Sequence, residues 1–390
     1  MTAAAQPTTA AGNQATRVHL VYPHRNRISA PDAIGRELGR RLEARYAVIY
    51  HDWSDRDLIR PEPGDVLIGH PNPDPNTVFR RSVQLDGWHR RLMMLPFNHR
   101  DLRQVAWTRS IVPECDLFLA ITGPYWFDTL ASSRCSHWQP KMIHLDLAID
   151  RTDYPPLKTS FGRPGNRRIV YIGHTGRGKN TSYLSEIARL LPDTQFDWIG
   201  AGARDIPGLR PLGSVEFASQ AGKALVAQFD ILVTVGQADA NPTTILEAMA
   251  WGLIPVCTPT SGYKSIPSIP NVPTDDAATA AAALRRLELL DESELVAMQS
   301  ENWRLLDEHY NWDRFASQVI DAIESAESPP VRPISLARDL MFAYYDLTSP
   351  YGPIAQSPAG RLMSKLKRRW DRLRAALVGA AAARLPQRRR

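Results

Sequence analysis

The strongest constraint on the fold is an alternation of short apolar runs with amphipathic helical stretches, which occurs twice along the 390 residues. The helical stretch at 30–46 carries Ile34, Leu38 and Leu42 at intervals of four, which gives one apolar helix face. The strand-like runs of this half lie at 17–24, 47–52, 64–70, 92–99, 115–122 and 141–147. Strands that alternate with helices predict parallel β-α-β units and a doubly wound sheet.

The same alternation begins again near residue 167. "RRIVYIG", "FDWIGAG" and "IPVCT" are strand-like, whereas "SYLSEIARLLP" and "ILEAMAWG" are helical. The segment 151–168 between the halves is rich in Pro, Gly and charge, which is typical of a linker. We therefore predict two α/β domains, 17–160 and 161–330, followed by a crossover segment at 331–360.

The net charge of +6 is unevenly distributed, because residues 361–390 alone carry +10 and leave −4 for 1–360. A basic face for nucleic acid on the body of the protein is therefore not indicated. In the tail, an apolar stripe at helical spacing lies among the basic residues: Leu362, Leu366, Trp370, Leu373 and Leu377. This pattern predicts a basic amphipathic helix at 361–390 that binds an anionic membrane surface. A partner-binding or solvated helix is the alternative.

The N-terminal stretch has no basic region followed by an apolar core, so residues 1–16 are interpreted as a disordered leader and not as a signal peptide. No apolar run approaches the roughly 20 residues of a membrane span. Cys115, Cys135 and Cys257 are far apart in sequence, which disfavours a disulfide framework or a zinc site. These features predict a cytoplasmic protein.

Residues 173–181 nearly match a nucleotide-binding P-loop. Gly173, Gly178 and Lys179 fall at three fixed positions of G-x-x-x-x-G-K-[ST], but Asn180 replaces the residue that would bind Mg²⁺. No later apolar strand ends in an acid that could hold the metal. The glycines, the following helix N-terminus, Arg177 and Lys179 suit a diphosphate bound without metal. A true P-loop and an ordinary solvated turn remain the alternatives.

A second candidate site lies in "QADANPTTILEAMAWGLIPVCT", residues 237–258. Asn241 is predicted as the N-cap of a helix and Pro242 as its first residue. The backbone amides near Thr243 and Thr244 then form a second anion site.

Two carboxylates accompany this helix. Asp239 lies just before it, and Glu247 lies on it, eight positions further on. A carboxylate is a natural acceptor for the two adjacent hydroxyls of a ribose. A solvated helix residue is the alternative for Glu247 taken alone.

This arrangement resembles the retaining glycosyltransferases of family 4, whose signature is two acids separated by seven residues in E-G-F-x-x-x-L-L-E-A-M-A-x-G-x-P-V-V. The match is specific from Ile245 to Val256, and Asp239 stands where the family usually has Glu. "YIGHTGRGKN" is similar to a shortened form of the family's V-G-R-x-x-x-K-G loop. The resemblance covers roughly residues 17–325 and is strongest in the second half.

The resemblance implies the GT-B fold, with two Rossmann-like doubly wound domains that face each other across a cleft. The acceptor would bind on the first domain and the nucleotide-sugar donor on the second. It implies that Glu247 holds the ribose, that Asp239 lies near the donor sugar, and that Arg177 and Lys179 hold the diphosphate. A histidine late in the first domain commonly lies beside the reacting carbon, which makes His99 the first candidate and His70 the second.

The implied reaction transfers a sugar from a UDP- or GDP-sugar to a hydroxyl of a glycan or lipid-linked acceptor, with retention at the anomeric carbon. It needs no cofactor and no metal, so the D-x-D of "SDRD" (54–57) is interpreted as a charged surface stretch. A role in cell-envelope polysaccharide or glycolipid synthesis at the inner face of the membrane would fit the basic tail. A non-catalytic nucleotide-sugar-binding subunit and a P-loop phosphotransferase remain the alternatives.

Overall fold

The computed structural model describes residues 16–25, 30–202, 205–350, 352–357, 359, 360 and 362, and its framework is two parallel sheets. The first sheet has the order β2-β1-β3-β4-β5-β6, and its strands are β1 (Arg17–Tyr22), β2 (Ala47–Asp52), β3 (Val66–Gly69), β4 (Arg90–Pro96), β5 (Leu117–Ile121) and β6 (Met142–Leu145). The second has the order β11-β10-β7-β8-β9, and its strands are β7 (Ile169–Ile172), β8 (Phe196–Ile199), β9 (Arg210–Pro211), β10 (Ile231–Thr234) and β11 (Ile254–Cys257).

Helices lie between the strands and after the second sheet. They are α1 (Ala30–Leu42), α2 (Val78–Ser82), α3 (Leu102–Val105), α4 (Pro124–Asp128), α5 (Thr181–Arg189), α6 (Gln220–Val226), α7 (Thr243–Trp251), α8 (Ala277–Glu288), α9 (Glu292–Glu308), α10 (Trp312–Glu324), α11 (Leu336–Thr348) and α12 (Pro353–Gln356). Helix α1 buries the predicted stripe of Ile34, Leu38 and Leu42 against the first sheet. The predicted α/β architecture with two doubly wound sheets is confirmed.

The strand composition follows from burial on both faces. Every residue of β3, β5, β7 and β10 is buried, because helices cover both sides of each sheet. Such strands are continuous apolar runs and do not alternate with polar residues. This explains why "VLIG", "LFLAI", "IVYI" and "ILV" are recognisable in the sequence.

Each sheet contains a point at which the strand order reverses. In the first sheet this point lies between β1 and β3, and in the second it lies between β7 and β10. Open α/β sheets bind ligands beyond the carboxyl ends of the strands at such points. The loops after β7 and β10 therefore form the candidate binding site of the second sheet.

Over the residues that the structure describes, the chain passes between the domains twice. It leaves the first domain after β6, and α10 later returns to pack against α1, where Arg41 and Asp313 form a 2.6 Å ion pair. The two crossing segments are joined by a hydrogen bond from the Ile149 amide to the Tyr310 carbonyl oxygen, at 2.9 Å. Helix α11 also packs on the first domain, where Phe342 is buried beside Trp138.

Two predicted segments fall largely outside the described residues. These are the leader at 1–16, of which only Thr16 is described, and the basic helix at 361–390, of which only Leu362 is described. Within the described part of the chain, no helix is both long enough and apolar enough to cross a bilayer.

Candidate functional site

The two loops at the reversal point of the second sheet meet through Lys179 and Asp239. Lys179 follows β7, Asp239 follows β10, and the Lys179 Nζ donates a hydrogen bond to the Asp239 Oδ2. The loops are also joined through the backbone, since the Gln237 amide donates to the Gly178 carbonyl oxygen at 2.9 Å. The structure thus brings together a cation and a carboxylate that lie 60 residues apart in sequence.

The loop after β7 lies tightly against the neighbouring strand end. Gly173 has a positive φ of 152°, and its amide donates to the Ile199 carbonyl oxygen at 3.0 Å. A Cβ atom at Gly200 would lie 2.1 Å from the Gly173 carbonyl oxygen, so both positions require glycine. Lys179 ends a short 3-10 turn, and the side chain of Arg177, in the same turn, lies outside the described residues.

Asn180 occupies the position at which the P-loop pattern has a metal-binding hydroxyl. It has a left-handed backbone, with φ 53° and ψ 40°, and forms the N-cap of α5 without a capping hydrogen bond from its side chain. Asn tolerates this conformation better than a β-branched threonine would. The departure from the P-loop pattern at this position therefore coincides with a different backbone path into the helix.

Helix α7 begins one residue later than predicted. Its N-cap is Pro242, and Thr243 is its first residue, so the prediction of Asn241 as N-cap and Pro242 as first residue is wrong. The Asn241 side chain is used elsewhere, because its Oδ1 accepts a 2.5 Å hydrogen bond from the Tyr263 hydroxyl. Pro242 has no side-chain acceptor, so the first-turn amides of Thr243 and Thr244 have no cap from that residue.

Glu247 lies on helix α7 and is apart from the Lys179–Asp239 pair. It lines a cavity of about 480 Å³ beside this helix. The cavity is lined by Asp153, Tyr154, Val215, Glu216, Phe217, Ala218, Lys223, Glu247 and Trp251. Burial raises the pKa of the Glu247 carboxyl to about 7, although hydrogen bonds from Tyr154 and Thr243 act in the opposite direction. Glu247 therefore titrates near neutrality, and its charge responds to whatever enters the cavity.

His99 of the first domain lies across the cleft from Asp239. Its Nε2 is 2.8 Å from the Thr129 Oγ1, and its ring meets the edge of the Trp126 ring at 5.1 Å between centroids. Trp126 in turn donates from its Nε1 to the Asp239 carbonyl oxygen at 2.6 Å. Burial lowers the pKa of His99, so the ring is neutral at neutral pH. His99 and the backbone of Asp239 thus both contact the side chain of Trp126.

Three further contacts reach from the first domain to the second, two of them in the loop after β10 and the third at Gly262 after β11, and sequence reasoning missed all of them. The Asn98 Nδ2 donates to the Ala238 carbonyl oxygen at 3.2 Å, and the Gly123 amide donates to the Ala240 carbonyl oxygen at 2.7 Å. The Tyr125 amide donates to the Gly262 carbonyl oxygen at 2.9 Å. "GPYW" after an apolar run signals a helix start, but nothing in the sequence indicates which backbone it meets.

His70 lies elsewhere, at the carboxyl end of β3. It is 8% exposed, and its Nδ1 is 2.9 Å from the Pro71 carbonyl oxygen. With Trp53, Trp107 and Asn98 it lines a cavity of about 450 Å³ in the first domain. Burial lowers the pKa of His70 to about 4, so the ring is neutral and its Nδ1 is the donor to the carbonyl. Its Nε2 is consequently an acceptor.

The carboxylates of "SDRD" are on the surface of the first domain, where Asp55 pairs with Arg25. In the ranges that the structure describes, no group of three or more His, Cys, Asp or Glu residues is arranged to hold a metal ion.

The sequence matches no protein-family model and no curated protein. Solved structures do match. A glycosyltransferase from Rickettsia africae has a TM-score of 0.57 and 10% identity, over 80% of this chain and 98% of its own. A sucrose-phosphate synthase from Thermosynechococcus elongatus has a TM-score of 0.58 and 14% identity, over 78% and 98%. HepE from Anabaena, solved with UDP and glucose, has a TM-score of 0.55 and 9% identity, over 79% and 99%. At these identities the likeness concerns the fold, and the chain has the GT-B fold of these proteins.

Proposed function

We propose that the protein is a retaining glycosyltransferase, similar to family 4, that transfers a sugar from a nucleoside-diphosphate sugar to an acceptor hydroxyl. The observation that carries the proposal is the pairing of Lys179 with Asp239 at the reversal point of the second sheet, opposite His99 and Trp126. A cation and a carboxylate of the second domain thus lie next to a tryptophan of the first domain that also contacts a neutral imidazole, in a GT-B fold. This is where a donor sugar would lie.

The nucleoside of the donor would occupy the cavity beside Glu247. The carboxylate accepts hydrogen bonds from the two ribose hydroxyls, and the base lies on the side formed by Val215 and Phe217. Phe217 packs on Trp251, with 5.2 Å between ring centroids, which gives the cavity an apolar wall suited to a planar base. UDP in the HepE structure supports a uridine donor, and a GDP-sugar is the second candidate.

The diphosphate would lie between the ribose and Lys179. Gly173 permits a close approach of the backbone, while Lys179 and Arg177 supply positive charge. The first-turn amides of α7 at Thr243 and Thr244 add the partial positive charge of a helix N-terminus. These groups stabilise the charge that develops on the leaving diphosphate, so a metal ion is not required in this proposal.

In the transfer step, the bond between the anomeric carbon and the diphosphate oxygen breaks, and the diphosphate keeps the electron pair. The acceptor oxygen forms the new bond on the same face of the sugar, and its proton passes to the leaving diphosphate. Asp239 and His99 contact the sugar, and the neutral His99 ring leaves the electrostatic role to Lys179. Closure of the two domains excludes water from this step.

The acceptor would bind on the first domain, in the cavity of His70, Trp53 and Trp107. Aromatic rings pack on the apolar faces of sugars, and the His70 Nε2 can accept a hydrogen bond from an acceptor hydroxyl. We propose a glycan or lipid-linked acceptor in cell-envelope polysaccharide or glycolipid synthesis. The basic segment 361–390 would hold this cytoplasmic enzyme at the inner face of the membrane.

The proposal is tested by incubating the protein with UDP-glucose, UDP-N-acetylglucosamine and GDP-mannose in the presence of EDTA and a cell-extract acceptor fraction. Release of nucleoside diphosphate is measured, and NMR determines the anomeric configuration of the product. We expect turnover with one donor and retained configuration. Glu247→Ala abolishes it, whereas Glu301→Ala, in a surface pair with Arg304, leaves it unchanged.

Other outcomes would reject the proposal. Donor binding without turnover indicates a nucleotide-sugar-binding subunit. ATP hydrolysis that depends on Mg²⁺ indicates a P-loop phosphotransferase. A product with inverted anomeric configuration would still show a glycosyltransferase, but it would reject the proposed similarity to a retaining family.

A further inference from the structure

A third cavity, next to the proposed reaction site, is lined by an excess of positive charge. It has a volume of about 620 Å³ and includes three arginine side chains: Arg100, Arg103 and Arg134. Asp101 is the one carboxylate among its described lining residues. Both carboxylate oxygens of Asp101 are engaged within the loop, by the Arg103 amide at 3.2 Å and the Gln104 Nε2 at 3.1 Å.

The three arginines differ from the nearby Arg109 in their ion pairs with the described residues. Within the described residues none of the three forms a salt bridge, whereas the nearby Arg109 pairs with Asp339 at 2.9 Å. Guanidinium groups bind carboxylate or phosphate through paired hydrogen bonds. Three such groups around one cavity, with no ion pair to any described carboxylate, therefore form a site suited to an oxyanion from outside the protein.

The position of the cavity indicates which substrate would supply the anion. On one side it is bounded by Gly178 and Ala238, the residues next to Lys179 and Asp239. On the other side Gln104 lines both this cavity and the aromatic cavity of Trp53 and Trp107. The arginine cavity thus adjoins the proposed sugar-transfer position and the proposed acceptor cavity, whereas the Glu247 cavity has none of these lining residues.

We propose that the cavity of Arg100, Arg103 and Arg134 binds an acidic group of the acceptor, so that the substrate class is a saccharide bearing phosphate or carboxylate. This inference rests on the proposed function, because it assigns the cavity to the acceptor of that reaction. The acidic group belongs either to a soluble sugar or to the phosphate of a lipid carrier. In both cases the arginines would bind it through the same paired hydrogen bonds.

The test uses the full chain saturated with UDP, so that the diphosphate position is filled. Glucose 6-phosphate, glucuronate and glucose are titrated by calorimetry, and flotation measures binding to phosphatidylcholine vesicles with and without a polyprenyl phosphate. The double variant Arg103→Gln/Arg134→Gln is compared with Arg286→Gln, which changes an exposed arginine of α8 far along the chain. Thermal unfolding shows whether each variant is folded.

We expect an acidic probe to bind, glucose to bind much more weakly, and the double variant to weaken the acidic probe by about tenfold or more. Arg286→Gln leaves binding unchanged. Binding of glucose 6-phosphate or glucuronate indicates a soluble acidic acceptor, and binding only of polyprenyl phosphate vesicles indicates a lipid carrier. If no acidic probe binds, or if binding survives in the folded double variant, the inference is overturned.

Failure of the proposed function would look different. A wild-type protein that binds no UDP rejects the nucleotide-sugar proposal, while the anion titrations can still be read without UDP. A double variant that loses affinity for UDP assigns the arginines to the donor and overturns only the acceptor inference.

Discussion

The indole Nε1 of Trp126, in the first domain, donates a 2.6 Å hydrogen bond to the backbone carbonyl oxygen of Asp239, in the second. Trp126 is 1% exposed, so this bond is shielded from solvent although it joins two domains. It fixes the loop that carries Asp239 relative to the ring of His99, which packs on the same indole. The two proposed contacts to the donor sugar are therefore positioned through one shared side chain.

Replacement of Trp126 by Phe should slow transfer without affecting nucleotide binding. Phe keeps an aromatic ring in the cleft but loses the hydrogen bond to Asp239, which is worth about 1 kcal/mol. We expect kcat to fall by about five- to tenfold, with the Kd for UDP within about twofold of wild type. Trp88→Phe is the control, since the Trp88 Nε1 donates to the Ser82 carbonyl oxygen within the first domain. Equal kcat values in the two variants would contradict the role of Trp126.

Addition of one methyl group at Gly123 should hold the domains apart. A Cβ atom there would lie 2.3 Å from the Gly262 carbonyl oxygen, in the backbone of the other domain. Gly123→Ala should therefore lower kcat by about tenfold or more, because the reacting groups no longer align, while UDP still binds the second domain. Gly64→Ala is the control for general destabilisation, since its φ of 95° strains an alanine while its Cβ atom meets open space. Small-angle scattering that shows the same compactness for Gly123→Ala and wild type would count against this account.

Asp239→Asn should separate nucleotide affinity from turnover. The substitution keeps the backbone contacts of residue 239 but removes the carboxylate that pairs with Lys179, which frees the ammonium group for the diphosphate. The Kd for UDP should stay the same or fall by a few fold, whereas transfer should fall by about a hundredfold. Lys179→Gln should have the opposite effect on the Kd, raising it by about tenfold. A weaker UDP complex in Asp239→Asn would refute this division of roles.

Glu247 should make nucleotide binding depend on pH. Burial raises the pKa of its carboxyl to about 7, and ribose hydroxyls favour the ionised form. The Kd for UDP should therefore fall between pH 6 and pH 8, by up to about tenfold, and Glu247→Gln should remove this component. The titration of the diphosphate itself is common to both proteins, so the measured quantity is the difference between the two pH profiles.

The same substitution should change the pH dependence of stability. The pKa of Glu247 is higher in the folded protein than its ordinary value of 4.5, so the folded state holds this proton more tightly than the unfolded chain. The stabilisation is present below about pH 4.5 and is lost as the pH rises to about 7. Denaturant unfolding should show wild type losing stability relative to Glu247→Gln across this range. Parallel curves would show that the carboxyl is not desolvated.

The sequence predicts the framework well because parallel strands buried on both faces are continuous apolar runs. Both sheets and most strands could be located in this way, and α1 could be placed from its stripe of Ile34, Leu38 and Leu42. The meeting of Lys179 and Asp239 follows from the strand order of the second sheet, since both come after strands that flank its reversal, whereas the sequence predicted them only as separate site residues.

The contacts between domains could not be predicted. Trp126 and Gly123 act on backbone atoms of residues more than 100 positions away, and a backbone carbonyl has no residue-specific signal. The start of α7 was also misplaced, because the Asn241 side chain bonds Tyr263, which local capping preferences do not include. At the start of α7 a tertiary partner overrode local propensity, whereas the contacts between domains had no local signal.

The hydrogen bond between Ile149 and Tyr310 joins the two segments by which the chain passes between the domains. Two connecting segments that are hydrogen-bonded to each other form a hinge. They restrict twisting and sliding of one domain against the other and leave mainly one rotation. Residues near this hinge move little during that rotation, and residues further from it move a longer distance. Opening of the cleft would therefore follow a defined path that brings the two halves back to the same relative position.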